Sequence, residues 1–178
     1  CPAIHTARLA SVKGVPYMPL RGVRGSDLTK NRSDWRVAEN PFHEKSGSDP
    51  ILLVPAIAPD VALFHARWAD EAGNVWVGRR RELATIAHAA RQTFVTYEEK
   101  RAGDMLADEL LAPGVISAVY ITATAHAPRG AWPLGVAGLY DIDHEHLALY
   151  AKAAKTREGF RRYLEEWVHT PRKSCSPA

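Results

Sequence analysis

Cysteine is scarce in this chain of 178 residues, and its two cysteines, Cys1 and Cys175, stand at opposite ends. A disulfide framework of the kind that holds small secreted domains together is therefore not expected. The cysteine usage favours a reducing, cytoplasmic setting instead. One hydrophobic core is expected to support the fold, because a chain of this mass can bury about 70% of the surface that it exposes when unfolded.

Long apolar runs and an excess of one charge are also missing. No run approaches the roughly 18 apolar residues of a membrane span, and no basic segment followed by an apolar one indicates a signal peptide. The 23 lysines and arginines are nearly balanced by 20 acidic residues, and both signs are spread along the chain. The densest basic stretch, Arg79 to Arg81, leads into a helical pattern and predicts a solvated helix entrance or an anion contact. Neither a membrane nor a nucleic acid is expected as a partner.

Several common catalytic signatures are absent: the sequence contains no GxSxG, P-loop, GxGxxG or HExxH motif and no thiol cluster. Among the eight histidines, His144 and His146 come closest to a metal pair. Two residues apart on a helix, they point about 200° away from each other, so no metal site is expected. Cys1 has the chemistry of an N-terminal nucleophile with its own amino group as base. The residues after it read as the middle of a helix, which favours a processing boundary.

Strands and helices alternate along the chain, which predicts one α/β domain over residues 1–178, with an open, largely parallel sheet and flanking helices. The segment from Thr29 to Pro50 has no period and is expected to be irregular. The predicted strands are Val15–Leu20, Ile51–Val54, Val61–Phe64, Thr93–Tyr97 and Ile116–Ala125. The predicted helices end at Val12 before Gly14, run through Leu83–Ala90 and Asp104–Leu111, and begin at Asp141 or Asp143 and at Thr156.

Two loops rich in arginine and glycine are the candidate binding segments. The first, Arg21–Asp27, and the second, His126–Pro133, each follow a predicted strand. Ligands of open α/β sheets lie beyond the carboxyl ends of the strands, and arginine with exposed backbone amides suits a phosphate or a carboxylate. The alternative is that each arginine pairs with a neighbouring carboxylate and each glycine only turns the chain. The residues alone leave both interpretations open.

These loops and their flanking segments resemble the α subunit of the family I coenzyme A transferases, the group of glutaconate and 3-oxoacid CoA-transferases. The resemblance covers nearly the whole chain in order and spacing, and no single element is diagnostic. Trp132 stands where the family usually has histidine, so a different substrate pocket is expected there. The matching stretches are Gly14–Gly22 with Gly25–Asp27, Asn40–Phe42, Val54–Ala62, His65–Ala66 with Ala69–Asp70 and Gly73–Asn74, Ala118–Tyr120, Ala127–Pro133 and Tyr140–Val168.

The resemblance implies an enzyme that moves coenzyme A between acyl-CoA and a carboxylic acid, without another cofactor. In the family the nucleophilic glutamate belongs to the β subunit, where it passes through a glutamyl-CoA thioester. No nucleophile is therefore assigned here, and Glu98 and Glu99 are expected to be structural or solvated. The residues that the resemblance assigns to substrate binding and oxyanion stabilisation are Arg21, Gly25, Ser26, Arg129, Gly130 and Trp132.

The family's glycine-rich opening segment is missing from this chain, so the resemblance implies the C-terminal part of an α subunit. The expected partners are acyl-CoA, the β subunit, which carries the nucleophile, and the N-terminal part of the α subunit. An unfinished sheet edge or apolar face is expected, with another polypeptide covering it. Two alternatives stay open: a hydrolase of the same fold that acts on steroid-ring CoA thioesters, and a non-catalytic subunit that binds acyl-CoA or a partner.

Overall fold

The computed structural model describes residues 2–44 and 46–170. The chain falls into two units, Cys1–Gly130 and Ala131–Ala178. The first unit contains α1 (Pro2–Val12), β1 (Tyr17–Leu20), α2 (Asp27–Asn31), β2 (Arg36–Glu39), β3 (Pro50–Pro55), β4 (Val61–Asp70), β5 (Val75–Trp76), α3 (Arg81–Ala89), β6 (Gln92–Arg101), β7 (Val115–Ile116) and β8 (Ala123–His126). The second contains α4 (His144–Ala153) and α5 (Arg157–Leu164), the latter continued by a π-helical turn at Glu165–His169.

The smaller sheet of the first unit is antiparallel, in the order β1-β3-β2. Side chains alternate across β3, so that Leu52 and Val54 are buried while Leu53 faces the other way. The buried pair packs against α1 and Trp35 in one apolar cluster. The helix ends as predicted, because Gly14 takes the left-handed conformation, φ +67°, that a helix C-terminus commonly needs.

The larger sheet has the order β7-β5-β4-β6-β8. Its long strands β4 and β6 are parallel, as are β6 and β8, whereas the pairs made by the two-residue β5 are antiparallel. The α3 helix crosses between β4 and β6 and buries Ala87 against Ala66 and Val95. The predicted α/β class, an open sheet with flanking helices, is confirmed; the sheet is mixed, with its parallel part at the centre.

The opposite face of the larger sheet exposes apolar side chains. On β4, Ala62 is buried toward α3 while Leu63 is 73% exposed. Phe94 lies opposite Leu63 in the parallel register, and Ala123 of the edge strand β8 follows beside it. The β8 strand is exposed along its whole length. A sheet of this kind usually buries both faces, so this face and edge are suited to contact with further polypeptide.

The predicted helix at Asp104–Leu111 is wrong: the segment forms turns that lead into a short 3₁₀ helix at Ala112–Gly114. The side chain of Asp104 accepts a hydrogen bond from the backbone N–H of Leu106, and Asp108 does the same for Leu110. Aspartate side chains that capture the amide two residues ahead compete with helical hydrogen bonds. The apolar spacing of this segment gave no sign of that competition.

Two more predicted boundaries need correction. The strand predicted at Ile116–Ala125 is split into β7 and β8 by a 3₁₀ helix at Ala118–Tyr120. The split follows from a long-range contact, since the N–H of Ala118 donates to the side-chain oxygen of Asn74 at 2.9 Å. The segment predicted to be irregular contains β2, which pairs with β3. Sequence periodicity missed both features because they depend on distant partners.

The two helices of the second unit begin at the predicted capping residues. Asp143 accepts a hydrogen bond from the N–H of His146, and Thr156 accepts one from the N–H of Gly159. Arg161 and Arg162 lie on the exposed side of α5. Both arginines pair with Glu158, one turn earlier. Among the described residues, no helix has the length and apolar character to cross a membrane.

Candidate functional site

A buried polar cluster lies near the middle of the parallel strands β4 and β6. His65 of β4 stands opposite Thr96 of β6 in the register, and Glu98 follows two residues later on the same face. The carboxylate of Glu98 is buried, and its Oε1 lies 2.8 Å from Nε2 of His65. The other ring nitrogen of His65 is 2.8 Å from the hydroxyl of Thr96. A buried carboxylate needs such partners, because burial without them is strongly unfavourable.

The same carboxylate captures the loop that follows β8. Its Oε2 accepts a hydrogen bond of 2.6 Å from the backbone N–H of Arg129, and the main-chain carbonyl of Glu98 accepts one from His126. Arg129 has φ +56°, a left-handed conformation that residues with a Cβ seldom adopt. The chain at Gly130 passes so close that an added Cβ would lie 2.7 Å from the carbonyl oxygen of Ala127. Gly130 is thus fitted to this tight turn, whereas Arg129 is held in a strained conformation.

The structure brings two predicted site residues, Arg129 and Gly130, onto one exposed loop that follows the carboxyl end of the parallel strand β8. A guanidinium and backbone amides at this position suit a carboxylate or a phosphoryl group. The buried pair beneath the loop was not predicted to belong to the site. The strand alternation could have placed these polar residues together. His65 lies on the strand face that carries exposed Leu63, and Thr96 and Glu98 alternate on the neighbouring strand.

The first candidate loop has a different arrangement. Both terminal nitrogens of Arg21 bond the two carboxylate oxygens of Asp49, one of them at 2.7 Å. This hydrogen-bonded pairing raises the pKa of Arg21 and, together with a hydrogen bond from Asn40, holds the pKa of Asp49 well below its usual range. Arg24 donates to the carbonyl of Pro50. The arginines therefore tie this loop to the start of β3.

Gly25 and Ser26 complete that first loop. Gly25 takes φ +78°, so the turn requires its conformational freedom. Ser26 occupies the N-cap of α2, but its hydroxyl donates to the carbonyl of Val23 at 2.6 Å instead of capping the helix. Beside the loop, an open groove of about 630 Å³ runs over the outer face of the smaller sheet, lined by Arg21 and by apolar residues that include Tyr17, Leu53 and Phe42.

Trp132, the last predicted site residue, belongs to the second unit. Its indole Nε1 donates to Oδ2 of Asp143 at 3.1 Å, and its ring centre lies 4.1 Å from that of His146. His146 is itself buried, 2.7 Å from the hydroxyl of Tyr163. This histidine is part of an aromatic cluster with Trp167. Within residues 2–44 and 46–170, no group of three histidine, cysteine or acidic side chains is arranged to hold a metal ion.

Asp70 at the end of β4 organises a second buried polar turn. Its carboxylate accepts hydrogen bonds from the side chain and the N–H of Asn74 and from the N–H groups of Met105 and Ala72. Burial by itself raises the pKa of Asp70, but these hydrogen bonds outweigh it and lower the pKa. The turn connects β4 to β5 of the larger sheet, and we assign it a structural role.

Comparison with known proteins finds relatives across almost the whole chain. The chain is 32% identical over 183 residues to the A subunit of glutaconate CoA-transferase from Acidaminococcus fermentans, covering 89% of this chain and 53% of the relative. It is 31% identical over 167 residues to the A subunit of 3-oxoadipate CoA-transferase from Pseudomonas knackmussii, covering 90% and 55%. No protein-family model matches the chain. The chain thus spans about half the length of these relatives.

Solved structures agree with the sequence relatives. The crystal structure of glutaconate coenzyme A-transferase from Acidaminococcus fermentans superposes with a TM-score of 0.83 at 29% identity, covering 96% of this chain and 58% of that one. The decarboxylase AibA/AibB, solved as a variant, superposes with a TM-score of 0.76 at 32% identity, covering 92% and 58%. The predicted resemblance is therefore confirmed: by sequence and by fold, this chain is a homologue of CoA-transferase A subunits.

Proposed function

We propose that this chain forms part of a CoA-transferase subunit that moves coenzyme A from an acyl-CoA to a carboxylic acid. One observation carries the proposal. A loop with an arginine and a glycine, Arg129–Gly130, follows the parallel strand β8 and is fixed by buried Glu98, in a chain whose relatives are CoA-transferase A subunits. In this reaction the acyl group is already activated as a thioester, so coenzyme A is a substrate and no separate cofactor is needed. The cysteine usage favours a cytoplasmic setting.

The proposed roles of the loop residues follow from their chemistry. The guanidinium of Arg129 would orient the carboxylate of the acyl or acceptor group through paired hydrogen bonds. The N–H of Gly130 would donate to the oxygen that gains negative charge as the thioester carbonyl is attacked. The first loop, with Arg21, Gly25 and Ser26, would form another wall of the site, in which Arg21 keeps its partner Asp49.

The nucleophile in this proposal is a glutamate of the β subunit, not a residue of this chain. Its carboxylate attacks the thioester carbonyl and expels the CoA thiolate, which leaves a mixed anhydride; the thiolate then attacks the glutamyl carbonyl, releases the original acid and forms a glutamyl-CoA thioester. The acceptor carboxylate enters by the same two steps in reverse, which gives the new acyl-CoA and the free glutamate. Glu98 does not fit that role, because both of its carboxylate oxygens are buried and hydrogen-bonded. Glu99 accepts a hydrogen bond from the indole of Trp68. Neither glutamate is therefore assigned as the nucleophile.

Exposed surface on the first unit supports a heteromeric assembly. The apolar face around Leu63 and the edge strand β8 offer a broad area for another polypeptide. We assign this area to the N-terminal part of the α subunit, with the β subunit bringing its glutamate to the Arg129 loop. The other face of the larger sheet already packs against α3, so it is not available to another polypeptide.

A second candidate is hydrolysis of a CoA thioester substrate, in which water takes the place of the acceptor carboxylate. It is favoured by a 25% identical relative over 164 residues, the cholesterol ring-cleaving hydrolase IpdA subunit of Rhodococcus jostii. The decarboxylase among the similar structures adds a third outcome to be measured. A subunit that only binds acyl-CoA would show none of these reactions.

The test is a product analysis with the full subunit together with its partner. The complex is mixed with ¹⁴C-labelled acyl-CoA thioesters, with and without a carboxylate acceptor such as acetate. A transferase forms a new acyl-CoA only when acceptor is present. Free acid in molar excess over the enzyme, or a ring-opened thioester, formed without acceptor supports the hydrolase, because a transferase without acceptor releases at most one equivalent of acid. Release of carbon dioxide supports a decarboxylase. Binding without any turnover would reject all three activities.

A further inference from the structure

The proposed acyl-transfer mechanism gives no role to the buried pair of Glu98 and His65. We propose that Glu98, oriented by His65, is a positioning residue that holds the Arg129 loop in its strained conformation and so directs the Arg129 side chain toward a bound carboxylate. The identity of that ligand rests on the proposed function. The positioning itself rests on the contacts among β4, β6 and the loop after β8.

The hydrogen bond from the Arg129 N–H to Glu98 is placed where the chain most needs it. At φ +56°, the Cβ of Arg129 crowds its own backbone, and the loop would relax without a compensating contact. A backbone N–H that donates to a buried carboxylate forms a hydrogen bond stronger than one to a neutral acceptor. At 2.6 Å, this bond is also short. Glu98 therefore stabilises the one conformation that the arginine side chain needs.

His65 fixes the orientation of that carboxylate. A carboxylate oxygen only accepts hydrogen bonds, so Nε2 of His65 carries the proton that lies between them. The hydroxyl of Thr96 then donates to Nδ1 when the imidazole is neutral. The ring also forms a wall of the loop, because Cε1 of His65 would lie 2.8 Å from a Cβ added at Gly130. One histidine thus sets both the carboxylate and the closest approach of the loop.

A merely structural carboxylate would behave differently from a positioning one. Loss of a structural group lowers the stability of the whole sheet, since Glu98 lies in the long β6 strand. Loss of a positioning group loosens the Arg129 loop more than the sheet and removes the benefit of the arginine side chain. The two roles are separated by local measurements at the loop, compared with the β4–β6 ladder of the same protein.

The experiment uses hydrogen exchange and NMR on the full subunit with its partner. Glu98→Ala should raise the exchange rate of the Arg129 amide at least tenfold relative to the amides of the β4–β6 ladder. Glu99→Gln is the matched control, because the carboxylate of Glu99 is next in sequence, is exposed and accepts a hydrogen bond from the indole of Trp68. That control should leave the Arg129 amide unchanged. An unchanged Arg129 amide in Glu98→Ala overturns the proposal.

Glu98→Gln supplies a second readout and guards against an unfolded alanine variant. A glutamine can accept from the Arg129 N–H with its oxygen and donate to His65 with its amide nitrogen. His65 must then accept at Nε2 and move its proton to Nδ1, where it faces Thr96. We expect ¹⁵N NMR to show this change of tautomer together with a largely protected Arg129 amide. Retention of the Nε2–H tautomer with a fully exposed Arg129 amide contradicts the proposed contacts.

Titration with glutarate, a simple dicarboxylate, links the loop to the ligand. Glu98→Ala and Arg129→Ala should each weaken glutarate binding about tenfold, and the double variant should be no weaker than either single one. Additive losses overturn positioning through Arg129. If the wild-type protein does not bind glutarate, the proposed ligand class is wrong, while the exchange and tautomer results still decide whether Glu98 holds the loop.

Discussion

The two arginine loops share a composition but use their carboxylates in opposite ways. In the first loop, Asp49 binds the guanidinium of Arg21 through both oxygens. In the second, buried Glu98 binds the backbone N–H of Arg129. A carboxylate on the guanidinium neutralises the charge that would attract a ligand. A carboxylate on the backbone fixes where the side chain begins. Two arginines in the same binding-loop pattern thus differ in the group that the carboxylate holds, the guanidinium of Arg21 and the backbone N–H of Arg129.

The largest effect is expected from adding a methyl group to the second loop. Gly130→Ala places a Cβ against the backbone oxygen of Ala127 and the ring of His65, so a fixed part of the structure must shift. We expect a loss of about 1–3 kcal/mol in the free energy of unfolding. Urea titration followed by circular dichroism measures it.

Gly25→Ala in the first loop is the matched control for that substitution. Its Cβ would meet no atom within 4 Å, although the position has φ +78°. The cost should be limited to backbone strain, on the order of 1 kcal/mol. An unchanged free energy of unfolding in Gly130→Ala would show that close approach contributes nothing at the second loop.

Removal of the second guanidinium should affect turnover more than stability. Arg129→Ala is expected to lower kcat/KM at least tenfold, about 1.4 kcal/mol of transition-state binding, without unfolding the protein. Steady-state kinetics of the full complex and a melting curve of the same sample give both quantities. Unchanged kinetics would remove Arg129 from the proposed site.

Arg21→Ala should change kcat/KM by less than about threefold, since Asp49 already engages its charge. The same steady-state assay places the two arginines on one scale. A loss as large as that of Arg129→Ala would mean that Arg21 leaves Asp49 to bind substrate. The proposed difference between the two loops would then be wrong.

The smallest expected effect is a pH dependence carried by the first loop. Arg21 and Asn40 lower the pKa of Asp49 in the folded chain below its ordinary value of 3.8. The ionised carboxylate therefore stabilises the fold above about pH 4, and this contribution is lost as the pH falls through the lowered pKa. Asp49→Asn should flatten the stability profile between about pH 4 and 2. An identical acid limb in the variant would contradict this assignment.

Local sequence signals located the parts of the fold that depend on neighbours in the chain. Gly14 ends α1, and Asp143 and Thr156 begin the last two helices, because a glycine or an oxygen-bearing side chain satisfies the helix ends locally. Asp104 and Asp108 show where such signals mislead, since the same side-chain oxygens can hold turns. Apolar spacing alone does not distinguish these cases.

The candidate site depended on contacts that no local pattern contains. His65 and Glu98 are 33 residues apart and meet only because β4 and β6 pair in one parallel register. The resemblance to CoA-transferases pointed to Arg129 and Gly130 through their loop, but it gave no role to the carboxylate beneath them. Asp49 likewise reaches Arg21 across 28 residues. Sequence identified the loops, and the structure showed which group each carboxylate holds.

We propose that the partner subunit carries the nucleophilic glutamate and that this chain carries the Arg129 loop. The mass of the covalent intermediate tests this proposal most directly. The full complex is mixed with acyl-CoA, quenched in acid within one turnover and digested for mass spectrometry. The account predicts a coenzyme A thioester on a glutamate of the partner subunit, forming at least tenfold more slowly with Arg129→Ala. A thioester on a glutamate of this chain, or turnover with no covalent intermediate on either subunit, would contradict it.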